Sequence, residues 1–128
     1  MDWHDGALML AGLIGSGVAI VHGILVQRRM IEPLQDLAAM RISRSLRILV
    51  PGLLHFGTFN WFVGGLALLG CAFGGGREAK LATGLLVGSS YLYGALGNFW
   101  ASRGRHPGWV LYAIALFLIA YSIGVVGG

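Results

Sequence analysis

Four long apolar runs, separated by short clusters of charge, set the plan of this chain: residues 6–27, 46–73, 81–102 and 108–126. Each is long enough to cross a bilayer as a helix. The second run is uninterrupted by charge after Arg47 yet carries His55, Thr58 and Asn60 in its middle. At about 1.5 Å per residue it exceeds a hydrocarbon core of ~30 Å, which predicts a tilted or kinked span. Pro51 and Gly52 supply the kink, and the carbonyl that proline frees four residues earlier needs a partner from a neighbouring helix. The expected fold is therefore an all-α membrane protein, a four-helix transmembrane bundle forming one domain over residues 1–128.

The connections have their own character. Arg28 and Arg29 end the first helix. The segment after them alternates Met30, Ile31, Leu34, Leu37, Ala38 and Ile42 with Glu32, Gln35, Asp36, Arg41 and Arg44. Apolar residues at three- and four-residue steps predict a short amphipathic helix at the membrane surface, beginning at Pro33 and running to about residue 44. Gly74, Gly75 and Gly76 form a permissive turn, without the Gly-Lys-Ser/Thr of a phosphate loop. Arg103, Arg105 and His106 make a basic connection, Pro107 starts the fourth helix and Trp109 anchors it at the interface.

Small residues recur at four-residue steps: Gly15, Ala19 and Gly23 in the first run, Gly84 and Gly88 in the third, with Ser90, Gly94 and Asn98 on an overlapping face. Such ridges let helix backbones approach closely in a membrane. Ala120, Gly124 and Gly128 give the fourth run its one close-packing edge.

Composition sharpens the class. The chain of 128 residues is 56% hydrophobic and 11% charged, against about 25% charged in soluble domains. Its formal charge of +4 lies in short loops between apolar runs, so topology explains it and no nucleic-acid partner is expected. Seven of the nine basic residues fall in the two connections after the first and third runs. By the positive-inside tendency those connections face the cytoplasm and both termini face outward. The acidic start, Asp2 and Asp5, does not fit a secretory signal, so the first run is retained as a helix. Cys71 is the single cysteine and is expected to behave as a small buried apolar residue.

Candidate chemistry concentrates in the histidines. His22 is six residues, roughly 9 Å, from Arg28, and His55 is eight residues, roughly 12 Å, from Arg47. This counting puts the two rings at one level in the cytoplasmic leaflet, with Asn98 just below and Tyr112 within reach as outer partners. Hydrogen-bonded to Thr58, Asn98, a tyrosine or the freed carbonyl, they bind helices together. Alternatively they are cofactor ligands, and two neutral imidazoles suit the axial positions of haem b. Zinc and copper fit less well, since no carboxylate or thiolate lies at that depth, and no metal site is expected. Ser89 and Ser90 lack a nucleophile elbow and a completing acid, so no enzyme is expected.

The residues His22-Gly23, Arg29, Pro33-Leu34, Arg47, His55, Thr58 and Trp61 together resemble a loose group of short bacterial four-helix inner-membrane proteins. The likeness covers the first half of the chain and implies a multi-pass protein of the bacterial inner membrane, with no activity attached. The number of small-residue edges exceeds what the contacts within one bundle require. The expected function is a non-enzymatic accessory or interaction subunit, with the lipid bilayer and other membrane subunits or a second copy as partners. A haem b redox protein using His22 and His55 is the alternative, and a small-solute transporter the third reading.

Overall fold

A computed structural model describes residues 1–38 and 42–126. The chain is all-helical, with no strand among the described residues. Its elements are α1 (Trp3–Val26), a π-helical turn (Gln27–Ile31), α2 (Glu32–Ala38), α3 (Arg44–Gly74), α4 (Arg77–Ser102) and α5 (Gly108–Ser122). Two stretches are long and apolar enough to cross a membrane, Trp3–Asp36 and Arg44–Gly74. α4 has the length, but Thr83, Ser89, Ser90, Tyr91, Tyr93 and Asn98 dilute its hydropathy. α5 is strongly apolar but has only 15 residues, about 22 Å of helix.

The first helix starts earlier than its apolar run. Asp2 caps it: the Asp5 amide donates to Asp2 Oδ1 at 2.8 Å and the Asp2 amide donates back to Asp5 Oδ2 at 3.4 Å. At the other end α5 stops short of its expected limit at residue 126. Gly124 takes φ 78°, and the Val125 amide donates to Ala120 O at 2.8 Å, closing the helix end as a left-handed glycine does.

A larger difference lies after Arg28. The first helix does not end there; it continues through the π turn into α2, which is an extension of α1 and not a separate surface helix. Pro33 is the physical reason. In a regular α-helix its ring would press on the carbonyl of Arg29, and it has no amide to give. Widening the preceding turn accommodates this, and the Glu32 amide donates to Gln27 O, five residues back. Residues 39–41 of the expected surface helix lie outside the described residues.

α1 packs against α3 and α5, and α4 packs against α5 and α3, so chain neighbours are also spatial neighbours around the bundle. Small residues set the closest crossing. A Cβ on Gly12 would meet Gly65 O at 2.6 Å, and one on Gly23 would meet the Thr58 methyl at 2.8 Å. Gly84 of α4 receives Ile119 of α5 and Ile123 just beyond it in the same manner. The middle of the bundle is filled by Trp61, Tyr91 and Tyr112, with ring centroids 5.1 Å apart for Trp61–Tyr112 and for Tyr91–Tyr112. Both tyrosines are fully buried.

Candidate functional site

The antiparallel register of α1 and α3 decides where the histidines fall. Gly12 lies opposite Leu69, Gly23 opposite Thr58 and Gln27 opposite His55. His55 is thus level with Gln27, five residues or about 7 Å along α1 from His22. The expected single layer is two levels. Counting from Arg47 misplaced it, because Arg47 sits on a part of α3 that runs on past Arg28: Leu34 and Gln35 of α2 face Leu46, Arg47, Val50 and Pro51 across a shallow groove.

Each ring has its own surroundings. His55 Nε2 is 2.9 Å from Gln27 Oε1, so the imidazole donates and the amide oxygen accepts. His22 packs edge-on against Trp61, with centroids 4.8 Å apart. It also lines a pocket of about 240 Å³ between α1, α5 and the α4–α5 turn. Gly17, Val18, Val21 and Leu25 supply the α1 wall, Leu111 and Tyr112 the α5 wall, and Asn98, His106, Pro107 and Gly108 the end. The structure therefore brings His22, Asn98 and Tyr112 together and leaves His55 elsewhere.

His106 joins the pocket although the sequence presents it only as part of a basic connection. A ladder along one face of the α4 terminus holds it. Asn98 Nδ2 donates to Gly94 O at 2.9 Å, the Ser102 hydroxyl donates to Asn98 O at 2.6 Å, and the His106 amide donates to Ser102 Oγ at 3.3 Å. The Gly108 amide then donates to His106 Nδ1 at 3.1 Å. With Nδ1 accepting, a neutral ring carries its proton on Nε2. Trp109 Nε1 donates to Gly104 O at 3.1 Å and fixes the turn, in which Arg103 adopts φ 52°. The signal available in the sequence was the spacing His106-Pro107-Gly108, which sets an imidazole within reach of the first amide of α5.

Chemically, the pocket offers an apolar wall with imidazoles at its end. Among the described residues, no carboxylate, thiol or hydroxyl nucleophile other than the tyrosine lines it. Among the described residues no three His, Cys, Asp or Glu side chains converge as a metal ion requires. A macrocycle held by His22 and His55 would need Gln27 to release His55 and the two rings to come level.

The opposite end of the bundle is polar. Lys80 of α4 pairs with Asp5 of α1, and His4 stacks on Tyr121 at 4.8 Å while its Nδ1 donates to Tyr121 O at 3.1 Å. The hydrogen bond from Lys80 holds the Asp5 carboxyl below its ordinary range and raises the Lys80 ammonium above its own. No protein family, curated protein or solved structure matches this chain.

Proposed function

We propose that this chain is a non-enzymatic accessory subunit of the bacterial inner membrane, a four-span bundle that works by contact with other membrane subunits or a second copy. Two polar collars support four spans. Asp5 and Lys80 mark one; Arg28, Arg29, Arg103 and Arg105 mark the other. From Asp5 to Arg28, and again from Lys80 to Arg103, is roughly 35 Å by helix rise, close to the ~30 Å of a hydrocarbon core. Between the collars each long helix exposes large apolar side chains, among them Leu13, Phe59, Leu86 and Phe117. Exposed apolar surface of that extent needs lipid or a partner to cover it. The basic collar faces the cytoplasm by the positive-inside tendency.

The observation that carries the interaction reading is the overhang. The α4–α5 turn borders the pocket whose α1 wall ends at Leu25, whereas α1 and α2 continue to Ala38, about 20 Å beyond Leu25. The start of α3 runs beside them. This hairpin leaves Ile48, Leu49 and Leu53 exposed along with Arg28, Arg29, Arg44 and Arg47. A bundle serving only its own stability has no use for such an extension. The filled aromatic centre also gives a transported solute no open route.

Purification from native membranes in mild detergent tests this reading. A species larger than one chain is expected; a strictly monomeric one with nothing bound would contradict it.

A further inference from the structure

We propose that the pocket between α1, α5 and the α4–α5 turn binds a neutral, membrane-soluble carbonyl compound of the quinone class, held by the Tyr112 hydroxyl on its inner side and by His106 at its end. It encloses about 240 Å³, with Val18, Val21 and Leu25 on one wall and Leu111 and Tyr112 on the other. Gly17, Val21 and Leu111 are exposed, so the pocket opens sideways between the two helices, onto the face that meets lipid in the four-span arrangement. Binding here rests on the bundle lying in a membrane and not on contact between subunits.

Tyr112 is what points to a ligand. Its side chain is fully buried, and its hydroxyl has no hydrogen-bond partner among the described residues. A buried hydroxyl left unpaired costs folding free energy, and phenylalanine would keep the contacts with Trp61 and Tyr91 without that cost. The neighbouring phenol of Tyr91, by contrast, donates to Trp61 O at 3.2 Å. Tyr112 lies one turn, about 6 Å by helix rise, after Gly108 on the same face of α5. Helical side chains lean toward the N-terminus, which directs this one toward the end of the pocket. There His106 Nδ1 accepts from the Gly108 amide at 3.1 Å, so Nε2 of the neutral ring is left as a donor.

Two donors facing one apolar space select the ligand. Among the described residues no Lys or Arg lines the pocket, so a carboxylate or phosphate would find no countercharge. A hydrocarbon chain would leave Tyr112 unpaired. A quinone ring presents a flat apolar body to the aliphatic walls and a carbonyl acceptor at each end, one for Tyr112 and one for His106.

Titration of the purified protein in mild detergent with a short-chain ubiquinone tests this, read by quenching of tryptophan fluorescence; the Trp61 ring lies 5.1 Å from that of Tyr112. Saturable binding is expected. Tyr112→Phe should weaken it about tenfold while leaving the ligand-free unfolding midpoint unchanged or raised. Gly17→Leu, at a wall position where a Cβ meets nothing within 4 Å, should fill the pocket and weaken binding with every polar group kept. Tyr93→Phe, on the exposed face of α4, should bind as the unaltered protein does. Quenching that does not saturate, equal affinity in Tyr112→Phe, or displacement of the quinone by an equal concentration of decanoic acid would overturn the proposal. So would a lower ligand-free midpoint in Tyr112→Phe, since the hydroxyl would then serve the fold. Absence of quinone binding leaves the accessory-subunit reading intact, and a strict monomer that binds the quinone removes that reading alone.

Discussion

The hydroxyl edge of Tyr91 on α4 occupies the space where a Cβ on Gly15 of α1 would stand, and from there it donates to the carbonyl of Trp61 on α3 at 3.2 Å. One phenol thereby ties three helices, and only glycine at position 15 admits it. This explains why the first apolar run, otherwise rich in Leu, Ile and Val, needs a hydrogen for a side chain there. Gly17, two residues on, has open space around its would-be Cβ.

The pair makes a direct stability prediction. Gly15→Ala should destabilise the bundle by about 1–3 kcal/mol through overpacking, measured by reversible unfolding in detergent. Gly17→Ala should be neutral or slightly stabilising, since alanine is the better helix former. Adding Tyr91→Phe to Gly15→Ala should recover part of the loss, because the hydroxyl is the nearest clashing atom; strict additivity would contradict the geometry.

Much of this was legible in the sequence. Charge-free runs located the long helices, and the four-residue steps of Gly15, Ala19 and Gly23 marked a face that does meet neighbours: Tyr91 fills the space at Gly15, and the Thr58 methyl reaches Gly23. What was not legible depends on register. A proline such as Pro33 reads as a helix start, and nothing local reveals that a π turn lets the helix pass through it. Arginines read as membrane boundaries, yet Arg47 belongs to an overhang, so depth counted from it set His55 at the wrong level. His106 enters the pocket through a turn whose geometry is fixed by Gly104 and Trp109, five residues apart and tied by one hydrogen bond.

His22 and His55 should tolerate a glutamine differently from a ligand pair. His55→Gln retains a donor toward Gln27, and His22→Gln loses the edge contact with Trp61; each should cost at most about 1–2 kcal/mol and leave the protein assembled. Unfolding midpoints and yield from membranes check this. Loss of a visible absorption band in one of these variants would instead identify the residue changed as a ligand.

At the Asp5–Lys80 end of the bundle, stability should depend on pH through these two side chains. A carboxyl whose value is depressed on folding contributes stability above its unfolded value, here 3.8, and loses it as pH falls through the lower folded value. Lys80, raised above 10.5, contributes below that value and loses the contribution as pH rises through the higher one. The contact is therefore complete at neutral pH and weakens at both extremes. Thermal unfolding in detergent between pH 7 and 3 should show an acid limb that Asp5→Asn flattens. An identical acid limb in the variant would place its origin elsewhere.

The proposed arrangement of four spans with a cytoplasmic hairpin is tested most directly by thiol labelling in intact cells, using single cysteines in the Cys71→Ser protein. A membrane-impermeant reagent added from outside should label Arg77→Cys, at the N-terminal end of α4, and should leave Leu49→Cys, on the overhanging start of α3, unlabelled until the cells are opened. Labelling of position 49 from outside, or protection of position 77, would contradict the topology on which the collars and the overhang depend.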